Sequence, residues 1–155
     1  MSESETVLIP GGRDVRASLD AAERGDGGEA ERADACVGAC PPHPQHRGHR
    51  GDERLRAVSN VLTDRGVDCL RFDYGDWDEG YGETTDADNA VAWARERYDR
   101  VGLFGFSFGG CVALVTAASN PDLRAVAALA PAARINPDAD AVAALDALAD
   151  AGTPT

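Results

Sequence analysis

Gly105-Phe106-Ser107-Phe108-Gly109 sets a serine between an apolar run and a run of small residues. A serine hydroxyl is a weak nucleophile until a tight turn presents it and a base removes its proton. Flanking glycines allow the two backbones of such a turn to approach closely. Gly105 and Gly109 occupy those positions, and Gly110 lets the following helix pack tightly. The amide of Phe108, at the predicted helix start, is placed to face an oxyanion, and preorganised donors of this kind contribute about 3 to 4 kcal/mol to a transition state. The chemistry implied is acyl transfer through Ser107.

A second group of reactive side chains comes earlier. Cys36, Cys40, His43, His46 and His49 bring together five residue types that bind metals. The cysteine spacing suits zinc, but the histidines lie too close to one another and to the cysteines. On a strand, Cys36 and Cys40 share a face at roughly 13 Å, too far to chelate one ion. No metal ligand is therefore predicted, and a metal-binding module over Cys36–His49 stands only as a third reading. Asp138 and Asp140 read first as helix caps and second as stand-in acids. Arg71 and Asp73 read as an ion pair, Trp77 and Tyr81 as loop aromatics at a pocket mouth, and Trp93 as core.

These residues need a frame. Val7–Ile9 and Val15–Ala21 read as an antiparallel hairpin, and 23–31 as a charged exposed loop. A third strand over 34–40 ends at Pro41-Pro42. Asp52 caps a helix carrying Leu55, Val58, Val61 and Leu62 and stopped by Gly66. Strand 67–72 leads to a Gly- and Asp-rich loop over 74–82, and Thr85 or Asp86 opens the next helix. Strand 100–106 delivers Ser107, helix 109–119 and strand 123–130 follow, and a last helix covers 141–148. Thr153-Pro154-Thr155 reads as the start of another strand. Continuous apolar strands alternating with amphipathic helices predict an α/β domain, mostly parallel, with both sheet faces covered.

Composition narrows the setting. At 155 residues and 43% apolar content the chain suits one domain over 1–155. It carries 27 acidic against 15 basic residues, every basic one an Arg, for a net charge of −12. Such a surface repels nucleic acid and anionic lipid, so neither is an expected partner. Concentrated salt screens self-repulsion of this kind, which points to a halophilic source. The polar start and the lack of a long apolar run predict a cytoplasmic protein with no membrane span, and Cys36, Cys40, Cys69 and Cys111 are expected as buried free thiols.

Taken together, Pro42-His43-Pro44, Arg71-Phe72-Asp73-Tyr74-Gly75 and Gly105-Phe106-Ser107-Phe108-Gly109-Gly110 make the chain resemble the α/β-hydrolase superfamily, and within it the small dienelactone-hydrolase-like esterases. The resemblance implies Ser107 as nucleophile and the Phe108 amide as half of an oxyanion hole. Gln45 or His46 would supply the other half, since Pro44 has no N–H. It implies a small ester or thioester substrate and no cofactor. Dienelactone hydrolases carry Cys at the nucleophile position, so the Ser here implies a general ester or thioester hydrolase.

The superfamily places its acid and then its histidine after the nucleophile, yet His43, His46 and His49 all precede Ser107. This departure predicts a chain lacking the last strands, as a fragment or truncated product, or else a base from elsewhere, with His43 or His46 as the substitute. Three readings follow: a weak serine hydrolase, a catalytically dead domain of the same fold, and the metal module. A sheet that ends early exposes a strand edge, which predicts self-association.

Overall fold

The computed structural model describes residues 3–23 and 33–155. The predicted charged loop over 23–31 lies almost wholly outside them. Strands β1 (Ser4–Ile9) and β2 (Val15–Asp20) form the expected antiparallel hairpin, with Thr6 opposite Ser18. They are followed by β3 (Ala35–Cys40), α1 (Glu53–Asp64), β4 (Asp68–Phe72), α2 (Tyr81–Arg95), β5 (Arg100–Phe106), α3 (Phe108–Ala118) and β6 (Val126–Leu129). A short hairpin, β7 (Arg134–Asn136) and β8 (Ala139–Asp140), precedes α4 (Ala141–Ala151).

The main sheet runs β1-β2-β4-β3-β5-β6. Strands β4, β3, β5 and β6 are parallel, and the hairpin joins antiparallel at β4. Chain order leaves β3 for β4 on one side and then crosses to β5 on the other. The order therefore reverses between β3 and β5, the point where open α/β sheets leave a crevice beyond their C-terminal ends. The loop carrying His43 leaves β3 there, and Ser107 follows β5.

Both faces are covered. Residues of α2, α3 and α4, among them Ala87, Val91, Cys111, Val112, Leu114 and Leu148, bury one face. Leu55 of α1 packs with Ala39, Cys69 and Phe104 on the other. Asp52 caps α1 by accepting from the amides of Arg54 and Leu55. Val61, expected on the apolar face of α1, is exposed, because the buried stripe runs instead through Leu55, Ser59 and Thr63.

Helix α2 opens four to five residues earlier than predicted. Glu83 reaches back to the amides of Gly80 and Asp78 at 2.9 and 3.0 Å, the carboxylate half of a capping box, and starts the helix at Tyr81. Asp86, expected as the cap, is buried in the second turn and paired with Arg13 at 2.6 Å. The predicted Arg71–Asp73 pair is also corrected: Arg71 binds Asp20 at 2.6 Å, and Asp73 binds Arg50. Each found a partner distant in sequence, Arg71 on the neighbouring strand β2 and Asp73 on the loop after β3, and Arg71 also donates to the Arg50 carbonyl. Asp140 caps α4 through Val142 and Ala143, whereas Asp138 accepts the Tyr81 hydroxyl at 2.6 Å. The segment at 153–155 forms no strand, although the Pro154 carbonyl accepts the Val126 amide beside β6.

Candidate active site

Ser107 has φ 58° and ψ −117°. A non-glycine residue in this region stores about 1 to 3 kcal/mol of backbone strain and persists only where its surroundings over-determine it. The surroundings here are specific. The Ser107 amide donates to the Leu129 carbonyl at 3.0 Å, and its carbonyl accepts from Gly110 and Ala132, both at 2.9 Å. The corner is thus pinned to the end of β6, to the loop beyond it and to α3.

The glycines explain how so sharp a corner closes. A Cβ on Gly105 would collide with the Gly109 carbonyl, and one on Gly109 would collide with the carbonyls of Cys40 and Pro41. A Cβ on Gly110 would stand 2.9 Å from Pro131. All three expected elbow glycines therefore lie where backbone meets backbone.

Ser107 is the N-cap of α3, yet its side chain makes no capping bond, and its hydroxyl is bonded to no other described residue. That leaves Oγ available. The first amides of a helix have no intrahelical acceptor, and the helix dipole favours negative charge there. Phe108 is the first residue of α3, so its N–H fits an oxyanion donor.

The hydroxyl faces a cleft of about 260 Å³ lined by His43, Trp77, Ser107, Phe108, Ala132, Arg134 and Ile135. Its wall is an aromatic stack: the His43 ring lies 4.6 Å from Trp77 and 4.9 Å from Phe108, and Phe108 lies 5.6 Å from Tyr74. The buried Tyr74 hydroxyl donates to the Pro41 carbonyl at 2.8 Å and ties the loops after β3 and β4 together. Trp77 is at the mouth, as expected. Tyr81 is not, having turned outward to Asp138.

The loop after β3 folds into a 3-10 turn over Pro44–His46. The Gln45 amide donates to His43 Nδ1 at 3.1 Å and the His46 amide to the His43 carbonyl at 3.0 Å. Both amides expected as the second oxyanion donor are therefore bonded inside the turn. Because Nδ1 accepts, the neutral His43 ring carries its proton on Nε2. Burial, aided by the neighbouring His46, holds the imidazole below its ordinary value and so neutral. With Nδ1 engaged in this way, the His43 ring lines the cleft beside Ser107. His46 packs edge-on against His43 at 4.6 Å and does not line the cleft.

Sequence reasoning missed Ala132, from the loop after β6, and Arg134 and Ile135, from β7, all of which line the cleft. Their signal was weak, since three-residue strands leave no periodicity to read. It also missed Glu83 and Asp86. Their carboxylates bind Asp78, Gly80 and Gly75 amides and so hold the loop that carries Trp77. As for metals, no group of three or more His, Cys, Asp or Glu among the described residues is placed to hold an ion. Cys36 and Cys40 are buried in β3, and burial pushes the Cys40 thiol well above its ordinary value.

Residues 72–142 match the model of the X-Pro dipeptidyl-peptidase (S15) family. Among solved structures, an α/β serine hydrolase without lid from Xanthomonas campestris superposes with a TM-score of 0.73 at 24% identity, over 86% of this chain and 63% of that one. The dienelactone hydrolase of Anabaena variabilis gives 0.68 at 21% identity, over 97% of this chain and 80% of that one. This is the α/β-hydrolase fold. An α/β serine hydrolase homologue from Coxiella burnetii shares that fold over 99% of this chain and 85% of its own, with a TM-score of 0.70 at 17% identity. A curated Rickettsia prowazekii protein, RP471, is 27% identical over 100 residues, which is 58% of this chain and 42% of that protein. The chain thus spans about two fifths of that relative. Ser107 lies in the strand-to-helix turn after β5 of this fold.

Proposed function

We propose that this chain is the nucleophile-bearing portion of a serine hydrolase that cleaves carboxylic esters or thioesters through an acyl-enzyme on Ser107. The strained backbone of Ser107, with its hydroxyl free and turned to a cleft, carries the reading. Attack by Oγ on the substrate carbonyl would place the developing oxyanion by the Phe108 amide, while the His43–Trp77–Phe108 wall receives the apolar part of the substrate. The four cysteines, all buried and outside disulfides, accord with a reducing cytoplasm, and the acidic, lysine-free composition with a salt-rich one.

Among the described residues no histidine is bonded to Ser107, and this favours a second reading, an inert domain of the same fold. Positioned donors and binding alone retain about 10³ to 10⁴ over water when a triad is incomplete. Weak turnover is therefore the expectation for this chain alone. A fluorophosphonate probe tests both readings. Covalent labelling that disappears in Ser107→Ala supports an activated serine; no labelling where ordinary esterases react supports the inert domain.

A further inference from the structure

A cavity of about 400 Å³, separate from the Ser107 cleft, is lined by Ser18, His49, Arg50, Gly51, Arg56, Arg71 and Asp73. Three guanidinium groups converge there in a chain of net charge −12, and their bonding shows which donors remain unused. Arg71 is consumed by Asp20 and the Arg50 carbonyl. Arg50 gives Nε to Ser18 Oγ at 3.0 Å and Nη1 to Asp73 at 2.5 Å, which leaves Nη2 free. Arg56, on the exposed side of α1, has no carboxylate partner among the described residues. His49 Nδ1 accepts the Gly51 amide at 3.0 Å, so its proton sits on Nε2. The Ser18 hydroxyl accepts from Arg50 and keeps its own hydrogen to give.

The free donors are therefore Arg50 Nη2, the Arg56 guanidinium, His49 Nε2–H and the Ser18 hydroxyl. They come from three elements, β2, the loop after β3 and α1. Forked guanidinium donors suit oxyanions, and donors from several directions suit a tetrahedral group better than a planar carboxylate. The one lining carboxylate, Asp73, is already neutralised by Arg50 and by the Arg50 amide at 2.7 Å. We propose that this cavity binds a phosphate group, either free phosphate or the phosphoryl end of a small metabolite.

Isothermal titration with inorganic phosphate, at ionic strength held constant with chloride, tests the assignment. Saturable binding is expected, weakened about tenfold or more in Arg56→Gln, since a lost charge-assisted hydrogen bond amounts to at least one decade in affinity. Arg95→Gln, remote on α2, should bind as the unaltered chain does. Glycerol phosphate separates the sources: tighter binding than phosphate indicates a phosphorylated metabolite, weaker binding the free ion, and either supports the site. No saturable heat with phosphate, equal affinity in Arg56→Gln, or acetate binding as well as phosphate would overturn it.

Discussion

Gly105 at the end of β5 and Gly109 in the first turn of α3 are in such close contact that a Cβ on the first would overlap the carbonyl of the second. The contact lets the chain reverse from strand to helix within one residue, and Ser107 takes up the strain. Gly105→Ala should therefore be costly. Overpacking against side chains costs about 1 to 3 kcal/mol, and backbone cannot swing aside, so a loss at or above the top of that range is expected in urea unfolding. A loss below about 0.5 kcal/mol, the ordinary scale of surface changes, would show that the elbow opens without penalty.

Strain at Ser107 has its own signature. Glycine tolerates positive φ and alanine does not. Ser107→Gly should thus be more stable than Ser107→Ala by about 1 kcal/mol or more, the cost of holding a side chain in that region. Both variants lose the hydroxyl, so equal midpoints in denaturant would mean that the corner relaxes and stores nothing.

What could be read in the sequence was what is local. The β5 boundaries, Arg100–Phe106, match the pattern-based range, because an apolar run followed by Gly-x-Ser-x-Gly fixes both strand end and turn. The hairpin and the Asp52 cap were legible for the same reason. Partner choice across the sheet was not: Arg71 meets Asp20, 51 residues away, because β2 pairs with β4 and sets Ser18 opposite Arg71. The start of α2 was masked since Gly80 reads as loop until the Glu83 side chain is seen to bind its amide. The site shared this division. The nucleophile and its glycines are contiguous and were found, whereas Arg134 and Ile135 reach the cleft only through the tertiary fold.

His43 should titrate below its ordinary value of 6.5, because burial and His46 disfavour its charged form. A histidine depressed in the folded state adds stability above its unfolded value, and this is lost as pH falls through the folded one. NMR titration should accordingly show a neutral, Nε2-protonated ring at pH 7, with His43→Phe flattening the loss of stability below pH 6.5. A midpoint at or above 6.5, or an Nδ1–H tautomer, would break the link to Gln45.

Asp20 shows the acid counterpart. Burial alone would raise its carboxyl, but hydrogen bonds from Arg71 and Ser59 outweigh that and hold it below the ordinary 3.8. Its stabilisation is present above pH 3.8 and lost as pH falls through the depressed folded value. Asp20→Asn should destabilise the protein at neutral pH, where it leaves Arg71 partly buried without its charge partner, and the penalty should shrink in acid. A penalty that stays constant with pH would show that the pair contributes no ionic stabilisation.

The last prediction concerns the β6 edge. Leu129 at its end is 48% exposed, with Val142 and Leu145 of α4 also exposed at 62% and 41%. Among the described residues no strand pairs with the outer side of β6, where only the Val126 amide is bonded, to the Pro154 carbonyl. An open apolar edge offers unpaired N–H and C=O groups to another chain, and a charge on it blocks pairing. Light scattering should therefore find self-association that deepens with concentration and is relieved by Leu129→Lys. High salt should strengthen it, by screening repulsion between chains of net charge −12. A monomer at both low and high salt would show that the edge is protected on its own.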